Sequence, residues 1–338
     1  PKYVVCNADE SEPGTFKDRV IMEADPFALI EALTIAGTTV GAELGFIYLR
    51  GEYPLARARL THAIAIARAR GLLGDDVMGK GARFDIELRL GAGAYICGEE
   101  TALFASIEGF RGEPRTKPPF PVEAGLFGRP TVVNNVETLV NVPLILTGGA
   151  AAYRARGTAA SPGTRLFCVS GAVARPGLYE LAHGVTLRAL LDLAGAGDVQ
   201  AVLLGGAAGT FVGPEALPLP LTFEDTRAAG VTLGSGVVLV YDEDSDLADA
   251  LLRIAEFFRH ESCGQCVPCR VGTVRQEELL HRLRAGRPHG SRAEELALYA
   301  ELAQAMRDAS ICGLGQTAAS AIESALARFE LFPEGGRR

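Results

Sequence analysis

Along residues 1 to about 150, short apolar runs of β type take turns with longer stretches in which apolar positions recur every three or four residues. Residues 3–6, 46–49 and 84–90 read as strands, and 27–43, 55–70 and 99–107 as helices. This alternation predicts parallel strands joined by crossover helices, an open α/β sheet. Pro26 and Pro54 stand where helices should start, and Gly45, Gly71 and Gly109 where they should have ended. From about 160 to 242 the pattern changes to apolar runs at 166–170, 201–204 and 237–241, separated by Gly and Pro turns, with one helix near 187–194. That predicts a small α+β domain with a mixed sheet. Beyond Ser245 strand signals stop, and 247–259, 272–283, 294–306 and 318–329 carry helical spacing, which predicts a helical bundle. An Ala/Gly-rich stretch at 148–163 reads as a linker. The expected domains are 1–157, 158–245 and 246–338.

Composition narrows the partners. The 338 residues carry a net charge of -8, without the clustered Lys and Arg that phosphate backbones require, so nucleic acid is excluded as an expected partner. The most apolar stretches, 33–49 and 231–241, are broken by Glu43 or by glycines and fall short of the roughly 18 apolar residues of a bilayer span. The opening residues show no basic leader, no cleavage site and no initiator Met, so the chain reads as a fragment with no signal peptide. Seven cysteines, four of them in the last quarter, fit a reducing compartment and a cofactor better than a disulfide scaffold; the expected location is the cytoplasm.

Those four define the first candidate site. Cys263, Cys266 and Cys269 follow one another at intervals of three, between a helix ending near His260 and one starting near Arg270, and Cys312 lies between two further helices. Thiolates suit zinc or iron–sulfur clusters. Zinc sites usually pair two separate two-cysteine knuckles, whereas three cysteines at successive x₂ intervals with a distant fourth favour [4Fe–4S], with zinc as the alternative. Cys6, Cys97 and Cys168 sit in strand-like contexts and read as small buried hydrophobes.

A second site is spread over three polar patches of the α/β domain. After the strand at 84–90, Gly91-Ala92-Gly93-Ala94-Tyr95-Ile96 leads into a helix with Glu99, Glu100 and Thr101, and such a glycine loop can offer backbone N–H groups to an anion. Ile96 stands where a dinucleotide fingerprint has its third glycine, so alone this also fits a plain tight turn. Residues 6–14 follow the first strand, at the edge where open α/β sheets bind ligands. Residues 134–138 form the third patch. Each alone is compatible with an ordinary helix cap; three in one sheet domain, ahead of a cluster site, point to a cofactor pocket.

Together, CNADESEPGTFKDR at 6–19, GAGAYICGEETAL at 91–103, KPPFP at 117–121, NNVETL at 134–139, ESCGQCVPCR at 261–270 and SICGLGQTA at 310–318 resemble the NADH- and FMN-binding subunit of respiratory complex I and its relatives in NAD-linked hydrogenases and formate dehydrogenases. The resemblance runs over essentially the whole chain. It implies a Rossmann-like parallel-sheet domain, a ubiquitin-like β-grasp domain and a C-terminal four-helix bundle with an iron–sulfur site. It implies FMN contacts at Asn7, Asp9, Glu10 and Ser11, at Tyr95, Gly98, Glu99 and Glu100, and at Asn134, Asn135 and Thr138. It places Glu12, Lys117 and Phe120 near NADH, Phe120 able to stack on a flat ring and Lys117 to neutralise phosphate. Carboxylates at Glu12, Glu99 and Glu100 should repel a 2′-phosphate, so NADH is expected over NADPH.

The implied activity is that of an NADH dehydrogenase (diaphorase)-type subunit that passes electrons from NADH through FMN to the cluster. The alternative is a non-catalytic, metal-stabilised scaffold subunit. Implied partners are a small [2Fe–2S] subunit and a larger iron–sulfur subunit, which could hold the protein at the cytoplasmic face of a membrane without insertion. The family's glycine-rich flavin loop belongs upstream of Pro1. The ligand loop at 312–317 looks nearer to the hydrogenase and formate dehydrogenase branch.

Overall fold

The computed structural model describes residues 1–332; the last six residues of the expected 246–338 domain lie outside the described residues. The chain divides into two compact units: 1–11 with 16–155, and 12–15 with 156 onward. In the first unit the order is β1 (Tyr3–Ala8), α1 (Lys17–Ala24), α2 (Pro26–Val40), β2 (Leu44–Arg50), α3 (Pro54–Ala69), β3 (Asp85–Gly91), α4 (Glu100–Ile107), α5 (Pro121–Ala124), β4 (Thr131–Asn135), α6 (Val136–Gly148) and α7 (Ala150–Arg154). The four strands stand in the order β3-β2-β1-β4, every neighbouring pair parallel. Parallel strands put all their C-terminal ends on one edge, and Asn7 of β1 is level there with Asn135 of β4 and Tyr48 of β2.

Local chemistry explains the helices. Asp25 caps α2 by accepting the Ala28 N–H at 3.1 Å, Pro26 opens it, and Gly41 closes it in the left-handed conformation at φ 70°. The stop therefore falls at Gly41, and Gly45, expected just past the helix, lies inside β2. Gly37 is needed for a different reason: a Cβ there would stand 2.1 Å from the Phe84 ring, so glycine lets α2 lie against the sheet. Leu29, Leu33, Ile47, Leu60 and Phe84 fill the core between them.

The second unit opens with a mixed sheet: β5 (Thr164–Gly171), β6 (Gly177–Ala182), α8 (Leu187–Ala194), β7 (Ala201–Leu204), β8 (Thr210–Val212), α9 (Phe223–Ala228) and β9 (Val237–Tyr241). Its order is β6-β5-β9-β7-β8, parallel only between β5 and β9. Thr186 caps α8 through the Ala189 N–H, and the apolar face of that helix, Leu187, Leu190 and Leu191, packs into a core with Phe167, Val202 and Val240. Then come α10 (Leu247–Glu261), α11 (Val267–Arg284), α12 (Arg292–Ala309), α13 (Gly313–Thr317) and α14 (Ser320–Arg328). The second of these starts at Val267, ahead of the spacing over 272–283 and of the start expected near Arg270, because Pro268 suits the first turn of a helix. Gln276, fully buried on α11, donates to the Ala318 carbonyl at 3.1 Å and accepts from the Tyr299 hydroxyl at 3.1 Å. One side chain thus ties α11 to α12 and to the end of α13.

Candidate functional site

At the C-terminal edge of the parallel sheet, Asn7, Asp9, Ser11, Gly98 and Asn135 come together in one hydrogen-bonded frame. The Asn7 amide donates to the Gly98 carbonyl at 2.8 Å, its Oδ1 accepts the Asp9 N–H at 3.2 Å, and Ser11 Oγ donates to Asp9 Oδ2 at 3.0 Å. Asn135 caps α6 by accepting the Glu137 N–H at 3.0 Å. Asn134 is half-buried on β4, Thr138 is exposed on α6, and Tyr95 opens the 3₁₀ turn Tyr95–Gly98. A methyl group at Gly98 would stand in ordinary contact with Asp9, at 3.6 Å from Oδ2 and 3.7 Å from the carbonyl oxygen. Amide side chains and half-buried backbone suit the hydrogen-bonding rim of a flavin.

Glu10 and Asn135 are joined by a charged layer whose Lys17, Asp18 and Glu137 were not among the expected contacts. Buried Lys17 Nζ donates to Asp18 Oδ1 at 2.6 Å and to Asn135 Oδ1 at 3.0 Å, and pairs with Glu137 at 3.1 Å; Asn135 in turn donates to Asp18 Oδ2 at 2.6 Å. Glu10 accepts the N–H groups of Asp18 and Arg19 at 2.9 and 3.0 Å and the Tyr53 hydroxyl at 3.1 Å. Burial lowers the Lys17 pKa, but Asp18 and Glu137 more than offset it, so the ammonium holds its proton above its ordinary value. Burial, then the charge of Asp18, pushes Glu10 upward despite its two N–H donors. The only sequence signal was the FKDR end of the first motif, and charged residues are ordinarily read as solvated.

Where the glycine loop leads into α4 the structure shows a helix cap, one of the readings the sequence left open. The N-terminal N–H groups of α4 are taken by Glu99 itself, which accepts from Thr101 N at 2.8 Å and Ala102 N at 3.0 Å, so the anion held there is the protein's own carboxylate. Lys117 bridges Glu99 at 3.0 Å and also pairs with Glu100; burial lowers its pKa, and the two carboxylates carry it back above the ordinary value. Phe120 is 53% exposed, a face available for stacking.

Glu12 belongs to the second unit. Its carboxylate accepts the Ala208 N–H at 3.1 Å, and burial raises its pKa against the pull of that N–H and of Ser235. An apolar cavity of about 440 Å³ lies in the same unit, lined by Pro13, Gly14, Leu203, Tyr241 and Phe257 among others, and Glu12 is not among its walls.

In the helical region Cys266 is the N-cap of α11, Cys269 lies in its first turn, and Cys312 is the N-cap of α13. The start of α11, with its unpaired N–H groups and positive dipole end, favours thiolates. Burial pushes the Cys269 thiol up to about 11, and the charges of Cys266, Cys312 and Cys263 add to the rise, which places the four in one electrostatic neighbourhood. They are neighbours without being closed on a point: among the described residues no group of three or more His, Cys, Asp or Glu stands in a geometry that would hold a metal ion. Gly315 makes the approach possible, since a Cβ there would lie 2.8 Å from Cys269 Cβ and 2.3 Å from Ser310 Oγ. That Ser310 hydroxyl is buried and has no hydrogen-bond partner. Four soft donors, two at the start of α11, one at the start of α13 and one in the loop before α11, with a glycine that leaves room beside one of them and a spare hydroxyl, fit an anionic iron–sulfur core. Cys6, Cys97 and Cys168 are buried, as expected.

Comparison with known proteins finds an FMN-binding domain and an iron-sulfur binding region. The chain matches the Nuo51 FMN-binding domain over residues 1–144, the SLBB domain over 166–206 and the NADH-ubiquinone oxidoreductase-F iron-sulfur binding region over 249–332. It is 46% identical over 334 residues to the second F subunit of NADH-quinone oxidoreductase in Rhizobium meliloti, covering 97% of this chain and 79% of that one. It is 45% identical to the NADH-quinone oxidoreductase F subunit of Aquifex aeolicus, covering 99% and 77%. It is 44% identical to the HndC subunit of the NADP-reducing hydrogenase of Solidesulfovibrio fructosivorans, covering 97% and 67%. Among solved structures, an NAD⁺-reducing [NiFe]-hydrogenase in the H₂-reduced state superposes with a TM-score of 0.89 at 42% identity, over 98% of this chain and 55% of that one. The chain thus spans about half the length of that hydrogenase chain.

Proposed function

The chain belongs to the family of NADH-oxidising electron-entry proteins that includes the F subunit of NADH-quinone oxidoreductase, built on an FMN-binding domain and a [4Fe–4S] region, and from that premise we propose that it takes electrons from a nicotinamide dinucleotide at its parallel-sheet edge and delivers them to a cluster held by Cys263, Cys266, Cys269 and Cys312. The observation that carries this reading is the joint presence, in one chain, of the hydrogen-bonded edge at Asn7, Asp9, Ser11 and Gly98 and of four neighbouring thiols at helix starts. FMN, when bound, accepts electrons as a pair and releases them singly, which is the chemistry the protein itself lacks. The residues supply position and charge. Asn7, Asp9, Glu10 and Ser11, with Tyr95, Gly98, Asn134, Asn135 and Thr138, form the rim for the flavin nucleotide. Glu99 and Glu100 join that rim, and Lys117 holds them in place and partly neutralised. Phe120 offers the stacking face for the dinucleotide.

Glu99 and Glu100 set two carboxylates against the one ammonium of Lys117, which supports NADH over NADPH. One relative is named for NADP reduction, so kcat/KM for the two dinucleotides is the direct check. We read the mixed sheet as a β-grasp domain, because its order β6-β5-β9-β7-β8 with β5 and β9 parallel places the first and last strands side by side in the middle. We divide the chain into 1–157, 158–245 and 246–338, and read α10, α11, α12 and α14 as a four-helix bundle. No helix among the described residues is long and apolar enough to cross a membrane. Placement in the cytoplasm with a small [2Fe–2S] subunit and a larger iron–sulfur subunit is part of the same proposal. Cofactor analysis of the complete protein tests it: about four iron and four sulfide with flavin are expected, and one zinc with no flavin would leave only a scaffold.

A further inference from the structure

Cys269 is the most buried of the four thiols, and two serine hydroxyls flank it. Ser262 Oγ lies 3.2 Å from Cys269 Sγ, and the same oxygen accepts the Gly264 N–H at 3.4 Å. Either atom of the first pair could carry the proton when the sulfur is a thiol. A metal-bound sulfur is a thiolate with no proton, so the serine must then donate. The Gly264 N–H pulls on the oxygen and leaves the hydroxyl hydrogen for the sulfur, an N–H to O–H to S chain in which each bond strengthens the next. Gly264 takes φ 78° there, a conformation that suits glycine. Ser310, two residues before Cys312, is 6% exposed and its Oγ has no partner; it faces the same glycine, Gly315, that lies against Cys269.

We propose that Ser262 and Ser310 are hydroxyl donors to the sulfurs at the Cys269 corner and set the cluster's reduction potential. The inference rests on the [4Fe–4S] reading of this site. Donors to cluster sulfurs stabilise the more negative, reduced state, so they raise the potential and make the cluster a better acceptor for electrons leaving the flavin. Neither serine is a ligand, and neither touches the dinucleotide; they act through the sulfur.

The test is redox titration of the purified complete protein followed by the reduced cluster's EPR signal, with Ser262→Ala, Ser262→Thr and Ser310→Ala beside the wild type. We expect each alanine variant to keep about four iron and four sulfide and to shift the midpoint to more negative values. Ser262→Thr, which retains the hydroxyl, should restore the wild-type midpoint. Unchanged midpoints in both alanine variants with full iron and sulfide would overturn the proposal and leave the cluster standing. A wild type without iron and sulfide would remove the cluster reading as well. Should Ser262→Ala fail to assemble, Ser310→Ala decides: a lowered midpoint supports the role and an unchanged one refutes it.

Discussion

The sheet edge and the thiol corner, the two proposed cofactor sites, are constructed in opposite ways. At the edge, polar groups answer one another: Asn7 with Gly98, Glu99 with the start of α4, Lys117 with two carboxylates, Lys17 with Asp18, Asn135 and Glu137. At the thiol corner the chemistry is left over: Cys269 is pushed toward its neutral form by burial, its three companions repel any charge it takes, and Ser310 Oγ donates to nothing. An edge held largely by its own hydrogen bonds depends less on a ligand to fix its side chains. A corner with surplus donors is completed only by what it binds, so its stability and its cofactor are linked.

The largest effect expected from this contrast is at the corner. Cys312→Ala should cut iron and sulfide far below the wild-type content and destabilise the helical region by about 4 kcal/mol or more, read by metal analysis and thermal melts on one preparation. Full iron content in that variant would break the contrast. Next comes the charged layer of the edge. Lys17→Met leaves Asp18 and Glu137 buried without their cation, and loss of one member of a buried pair costs about 3–5 kcal/mol. Because the Lys17 pKa is raised on folding, its contribution is complete below its unfolded value of about 10.4 and is lost as the pH climbs through the folded one. Wild type and Lys17→Met should therefore converge in denaturant midpoint only at strongly alkaline pH; convergence at neutral pH would show that the lysine contributes little.

Smaller is Phe120→Ala. A stacking face is worth about 0.5–1.5 kcal/mol, so KM for NADH should rise roughly 2- to 10-fold with kcat and flavin content unchanged. A change in kcat alone would place the ring elsewhere in the cycle. Smallest is Glu12→Gln in the second unit. Burial raises the Glu12 pKa, so its neutral form is the one the fold favours, and its contribution is present below about 4.3 and lost as pH rises through the folded value. Glutamine resembles that neutral form and should raise the melting temperature by about 1–2 °C at pH 7 and by nothing near pH 4. A lower melting temperature at pH 7 would mean the carboxylate is welcome there.

The corner was easier to foresee than the edge, for reasons particular to their residues. Cysteines at intervals of three carry their meaning in their spacing, and helices opened by Pro26 and Pro54 or closed by Gly71 announce themselves through fixed backbone angles. The strands β4, β6 and β8 did not, because they are edge strands of three to six residues, and Thr131–Asn135 ends in two asparagines that read as a polar patch. α1 was missed because two of its three buried residues are Lys17 and Asp18, whose burial is possible only through partners brought from β4 and α6. The cap at Glu99 was one of two readings left open, because a glycine loop before a helix looks the same whether the anion comes from outside or from its own side chain.

The central claim is that electrons cross from dinucleotide to flavin to sulfur within this protein. Adding NADH without oxygen to the complete protein with FMN bound, and following flavin absorbance together with the cluster's EPR signal, tests it in one experiment. Bleaching of the flavin with appearance of the reduced-cluster signal is the predicted result; a flavin spectrum unchanged by NADH would contradict it.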